Sequence, residues 1–448
     1  MTGSSSKLTG RRADMNTNAM QEITAKMKAD SFKTSALSIE TRNAILSGVK
    51  EALLSKREEI FAANREDLEN AQNDQVPEPV IKRLRFDEHK LEAVTEGIDQ
   101  LIALPDPVGK VLLKRELDKG LVLKKITCPI GVIGIIFESR PDALVQISSL
   151  CIKSGNCAVL KGGSETTNTN RVLFDVIYGA AVENGAPEGC LYQAQAHSEI
   201  DELLSCEKSV DLIIPRGSNA FVSYIMNHTK IPVMGHADGI CHTYVERTAD
   251  PEMAKKILLD AKIQYTAACN ATETLLVDRV AAKDLLPGLA RALQKEHVVL
   301  RGTEEALALL AEDGIECLPM EESEFDTEYL SLTISVKLVE GVDEAITHIN
   351  RYGSHHTDAI ITKDQAAADK FVALVDSAGC YVNCSTRFSD GFRYGFGAEV
   401  GISTSKLHAR GPVGLDGLTT YKYQLFGSGQ TVGEYADGEK QFHFRDLK

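Results

Sequence analysis

Residues 130–165 read IGVIGIIFESRPDALVQISSLCIKSGNCAVLKGGSE. The run 130–137 is apolar, rich in β-branched residues and nearly free of charge. That suits a strand buried on both faces of a parallel sheet. Residues 144–153 follow with a helical pattern, and Cys157-Ala158-Val159-Leu160 is a second short apolar run. The alternation continues with a helix at 170–184 and a strand at 211–214. A second set has a helix at 257–263, strands at 273–278, 334–339 and 359–362, and helices at 285–293, 345–351 and 366–374. Elements alternating at this spacing predict an α/β protein built on parallel sheets.

The flanks differ in character. Residues 18–105 read as helices: Ile45, Val49, Leu53 and Ile60 recur at helical spacing with charges between them. Val76-Pro77-Glu78-Pro79 breaks the run, and Leu104-Pro105-Asp106-Pro107 ends it. Residues 1–17 are polar and are expected to form a flexible tail, without the apolar run of a signal peptide. Residues 111–125 place two apolar/charged runs around Asp118-Lys119-Gly120, the pattern of a β-hairpin. Such a hairpin either pairs with a partner chain's sheet or lies as a surface flap. From 418 onward the chain is rich in Thr, Tyr and Gly and is expected to add an edge strand.

The chain has 448 residues, 43% apolar and 25% charged, enough for two or three cores. Its net charge of −15, from 49 basic and 64 acidic groups, excludes a general polyanion binder; neither nucleic acid nor membrane is an expected partner. A small anionic substrate in a locally basic site is compatible with that balance. Ten cysteines lack framework spacing, the nearest pair being Cys380 and Cys384, and read as reduced thiols of a cytoplasmic enzyme. The longest apolar stretch falls far short of the ~20 residues a membrane-spanning helix needs.

Four segments carry groups suited to chemistry. Cys269 sits among small residues in 264–273, QYTAACNATE, between a predicted helix and a predicted strand. A nucleophilic cysteine needs room for substrate, a thiolate form and backbone donors for an oxyanion. Taken alone, the segment fits a buried structural cysteine at least as well. Lys161-Gly162-Gly163-Ser164-Glu165 ends a strand with a cation, two glycines, a hydroxyl and a carboxylate. That suits a nucleotide phosphate or ribose, and equally an ordinary tight connection. Gly217 and Ser218 open a helix at 219–227, whose amino end can hold a phosphate. Arg140 follows a buried strand and suits a bidentate anion contact, or an internal pair with Glu138 or Asp142. His236, His242, His355 and His356 lack the spacing of a known metal motif, so no metal is expected.

In chain order, residues 130–142, 154–165, 211–217, 269–277 (CNATETLLV), 396–404 (FGAEVGIST) and 411–415 (GPVGL) resemble the aldehyde dehydrogenase superfamily, and within it the branch that reduces γ-glutamyl phosphate. The resemblance implies a Rossmann-like cofactor domain (18–110 and 126–248) and a catalytic α/β domain (249–417). It also implies a β-hairpin oligomerisation flap (111–125 and 418–448) and a homo-oligomer. It makes Cys269 the nucleophile, with its backbone N–H and Asn270 holding the oxyanion. Lys161, Gly162, Ser164 and Glu165 would lie by the adenosine ribose, Gly217 and Ser218 by the pyrophosphate, and Glu328 by the nicotinamide ribose. Arg140 and Arg410 would contact the substrate anion.

The activity implied is NADPH-dependent reduction of L-glutamyl 5-phosphate to L-glutamate 5-semialdehyde, the second step of proline formation from glutamate. Lys161 suits the 2′-phosphate of NADP, while Glu165 suits the free 2′-hydroxyl of NAD. No amino-kinase segment is present, so the glutamate 5-kinase that supplies the acyl phosphate is expected as a separate protein. Hydrolytic members of the superfamily place a glutamate base upstream of the cysteine; residues 232–239 read PVMGHADG, without one. The rival readings are a hydrolytic NAD-dependent aldehyde dehydrogenase and a non-catalytic relative of the fold.

Overall fold

The computed structural model describes the backbone of residues 10–448 except Ser139 and Gly397, and the side chains from residue 19 onward except those two and Pro79. The described residues form two compact units. One holds the chain up to 234 with 396–401 and 413–448; the other holds 235–395 and 402–412. Residues 1–9 of the expected tail lie outside the described residues, and 10–17 belong to the helix Gly10–Ser35 rather than to a tail.

The first unit opens with five helices, Gly10–Ser35, Ile39–Ser55, Arg57–Asn73, Glu78–Leu84 and Glu88–Ala103. Ile45, Val49, Leu53 and Ile60 are completely buried, as their spacing predicted. A four-stranded sheet follows in the order Leu191–Ala194, Cys157–Lys161, Val132–Phe137, Leu212–Arg216, all parallel. Every residue of Val132–Phe137 and Cys157–Lys161 is buried, which is why neither shows an alternating pattern. Each large aliphatic side chain removed from water there contributes roughly 1.5–3 kcal/mol.

The hairpin forms as expected, from Val111–Asp118 and Leu121–Pro129. Thr419–Phe426 adds antiparallel to Leu121–Pro129, and Arg445–Asp446 pairs with Val111–Asp118, making a second four-stranded sheet in this unit.

The second unit is a seven-stranded parallel sheet. Its order is Leu318–Pro319, Val299–Gly302, Thr333–Val339, Thr272–Asp278, Cys241–Val245, Thr357–Ile361, Gly379–Val382. Alternate residues of the central strand face opposite sides. Leu275 and Val277 join Leu258, Leu286 and Leu293 in one core; Leu276 joins Tyr244, Ile349 and Phe371 in the other.

The domain boundary expected at 248/249 falls at 234/235. The reason is Cys241–Val245, a strand the polar sequence concealed, which is hydrogen-bonded between Thr272–Asp278 and Thr357–Ile361. Residues 396–401 and 413–417, expected in the catalytic domain, belong to the first unit. The residues of the expected flap, 111–125 and 418–448, are grouped with the first unit, where they form a sheet of their own.

Candidate active site

Cys269 lies in the turn between the helix Pro251–Ile263 and the strand Thr272–Asp278. His356 directly precedes Thr357–Ile361, and His236 lies just ahead of Cys241–Val245. These three strands are neighbours and run parallel, so the segments entering them converge at one end of the sheet. Three side chains distant in sequence are thereby brought together.

The completely buried His356 ring places Nε2 3.2 Å from Cys269 Sγ and Nδ1 2.9 Å from Thr357 Oγ1. Cys269 itself is half-buried. The His236 ring stands edge-on to His356 with centroids 5.1 Å apart, and its Nδ1 lies 3.1 Å from Ile402 O. One donor atom from each of His236, Cys269 and His356 falls within 4.8 Å of the other two. A base oriented by a hydroxyl and set against a thiol is the arrangement that activates sulfur nucleophiles.

The backbone around Cys269 is tightly held. A Cβ on Gly239 would stand 2.2 Å from Cys269 O and 2.4 Å from its Cα, so only glycine lets the segment after His236 lie against the nucleophile. The Cys241 thiol donates to Cys269 O at 3.3 Å, and burial pushes the Cys241 pKa well up, keeping it a neutral donor. Asn270 Nδ2 donates to Ser389 O at 2.8 Å, while its Oδ1 is buried without a hydrogen-bond partner. This amide therefore fixes the loop at Ser389, a structural task the sequence did not suggest.

Charge is also arranged here. Arg387 is 8% exposed, and its Nε donates to Gln264 Oε1 at 2.9 Å. Burial chiefly, and Arg393 next, lower the Arg387 pKa, while negative charge at Cys269 would raise it. Beneath the site, Lys262 Nζ meets Glu273 Oε2 at 2.5 Å with both side chains almost fully enclosed. Burial raises the Glu273 carboxyl to about 7, against the opposing pull of Lys262, and the same burial lowers Lys262. Glu328 is close enough to act on both, so it sits in the second unit beside this pair.

The other expected residues are distributed as follows. Arg410 is paired with Asp376, donating at 2.9 Å to its carbonyl and 3.1 Å to its carboxylate, with Lys406 on the same carboxylate. Only one guanidinium nitrogen is used in this way, and Arg410 Nε is buried without a hydrogen-bond partner. Arg140 is exposed, in the first unit. Lys161, at the end of its strand, is 7% exposed, and its Nζ donates to Gly162 O at 2.6 Å. Glu165 Oε2 is buried without a hydrogen-bond partner. A ribose hydroxyl is the kind of donor this acceptor lacks, so the loop fits a nucleotide. Ser218 N–H is held by the Glu138 carboxylate, and a Cβ on Gly217 would meet Glu138 Oε2 at 2.8 Å. A pyrophosphate that used the Ser218 N–H would have to displace Glu138.

The sequence of the aldehyde dehydrogenase family matches residues 4–306, more than half of the chain, and the chain belongs to that family. Within it, the chain is 58% identical to the γ-glutamyl phosphate reductase of Ruminiclostridium cellulolyticum, over 92% of this chain and 94% of that one. It is 54% identical to the γ-glutamyl phosphate reductase of Pelotomaculum thermopropionicum, over 96% and 98%. The crystal structure of γ-glutamyl phosphate reductase from Thermotoga maritima superposes with a TM-score of 0.89 at 36% identity, covering 92% of this chain and 99% of that one. The branch expected from the sequence, and its α/β fold, are thereby shown.

Proposed function

We propose that this chain reduces L-glutamyl 5-phosphate to L-glutamate 5-semialdehyde and phosphate, with NADPH as reductant, through a thioester on Cys269. The names of its relatives at 58% and 54% identity support the substrate. The observation that carries the chemistry is His356 Nε2 set 3.2 Å from Cys269 Sγ.

His356 takes the thiol proton, with Thr357 Oγ1 orienting the ring. The thiolate adds to the acyl carbon, and the oxyanion is held by the Cys269 backbone N–H. Breaking the bond to phosphate leaves the thioester, and phosphate departs without needing a strong acid. NADPH, when bound, supplies the hydride that brings the acyl group to aldehyde level. Loss of the carbon–sulfur bond then releases the semialdehyde and restores the thiolate. Arg387 supplies positive charge toward the sulfur; Arg140 in the first unit and Arg410 in the second are the candidates for an anion contact. Lys161, Gly162, Ser164 and Glu165 would hold the adenosine end of the cofactor, with Lys161 favouring a 2′-phosphate. Glu328 would serve the nicotinamide ribose.

Residues 232–239 hold no glutamate to activate water, which favours transfer to phosphate over hydrolysis. Asp238, or His236 near the thiol, is the group that a hydrolytic reaction would have to use instead. We extend the reading to a homo-oligomer formed through the sheet that contains the hairpin, in the cytoplasm. Among the described residues, no helix is long and apolar enough to cross a membrane. Cys269→Ser is expected to abolish turnover while NADPH still binds in a fluorescence titration; full activity in that variant would overturn the covalent scheme.

A further inference from the structure

His236, Cys269 and His356 are three soft or borderline donors that share one end of a rigid sheet. Their donor atoms lie within 4.8 Å of one another. We propose that they form a binding site for one Zn²⁺ ion, which reversibly silences the nucleophile.

Two imidazoles and one thiolate are standard zinc donors, and three protein ligands with an open fourth position make a tetrahedral site. Zn–S bonds of ~2.3 Å and Zn–N bonds of ~2.0–2.1 Å put such donors roughly 3.3–3.7 Å apart. His356 Nε2 and Cys269 Sγ already stand at 3.2 Å. His236 has at most about 1.5 Å to close, within the reach of a side-chain rotation.

The outer contacts also suit a metal. A ligating histidine commonly gives its other ring N–H to an oxygen, which fixes its tautomer. His236 Nδ1 lies 3.1 Å from Ile402 O, an oxygen of the kind that receives the outer N–H of a ligating ring. His356 Nδ1 lies 2.9 Å from Thr357 Oγ1, which can accept in the same way. The cluster contains no carboxylate, so it favours zinc over the hard ions magnesium, calcium and manganese.

Binding is balanced simply. The Cys269 S–H loses its proton to solvent, the thiolate and two neutral imidazoles bond to the ion, and no redox change occurs. A thiolate whose lone pair is committed to zinc adds to neither an acyl carbon nor an alkylating agent. The inference concerns the thiol used in the proposed function, but it stands on geometry and is tested without substrate.

The test uses the full-length, metal-free protein. Zn²⁺ alone is competed against a chromophoric chelator, and Cys269 alkylation by iodoacetamide is followed by peptide mass. The expected result is one Zn²⁺ per chain, with Cys269 labelling slowed by about tenfold or more at stoichiometric zinc and restored by EDTA; Mg²⁺ protects nothing. His236→Ala and His236→Gln, each checked for native circular dichroism, should weaken zinc binding by roughly 100-fold, more than the loss of an outer contact does. Unchanged affinity in both His236 variants, or unslowed labelling of Cys269 at saturating zinc, would overturn the site. Either failure would leave the proposed reduction standing, because that is read from turnover.

Discussion

Cys269 and His356 are 87 positions apart in the chain and 3.2 Å apart in the fold. The cysteine was legible because its neighbours form a recognisable segment. The histidine was not, because no local pattern records which segments enter adjacent parallel strands. Asn270, expected from its place beside the nucleophile as an oxyanion donor, also gives an amide N–H to Ser389 O, a contact that no local pattern records. If His356 is the base, His356→Asn should lower kcat/KM by about 10²–10⁴-fold near neutral pH. The deficit should narrow as pH rises and hydroxide takes over deprotonation, with cofactor affinity unaltered. A deficit independent of pH would assign His356 a packing role only.

Elements were legible where burial is apolar and concealed where it is polar. Val132–Phe137 is buried and aliphatic, and so readable; Cys241–Val245 is equally buried but reads CHTYV. Its polar side chains bond to neighbouring strands: His242 Nδ1 lies 2.8 Å from Asp358 Oδ1, and Thr243 Oγ1 lies 2.8 Å from Thr272 Oγ1. Missing that strand displaced the domain boundary. Lys262 and Glu273 tie the helix before the nucleophile to the strand after it, and removing one partner of such a buried pair costs about 3–5 kcal/mol. A carboxyl whose folded pKa stands above its unfolded one contributes stability that is full below the unfolded value and lost as pH rises through the folded one. Glu273 has a folded value of about 7, and Lys262→Met, by removing the cation, raises it further. The wild type therefore stops losing this stability above pH ~7, whereas the variant continues to lose it. Thermal unfolding should show the Lys262→Met deficit growing between pH 7 and pH 9; a constant deficit would contradict the pairing.

At the scale of the whole molecule, alternating α/β elements and a hairpin were readable, but the number and order of strands were not, since pairing partners lie far apart in the chain. Thr419–Phe426 forms one edge of the hairpin sheet, with Tyr421, Tyr423, Leu425 and Phe426 exposed. An open edge carrying such side chains is a template for pairing with a second copy. Tyr423→Asp combined with Leu425→Lys should therefore shift the sedimentation of the native protein toward the monomer. No change in mass would remove the flap from the assembly.

The central claim is that phosphate, not water, resolves a thioester on Cys269. The reverse reaction tests it most directly: glutamate 5-semialdehyde and NADP are supplied, and NADPH formation is followed with and without inorganic phosphate. Strict dependence on phosphate is the predicted result. Equal rates in its absence would mean that water resolves the thioester, and would contradict the account.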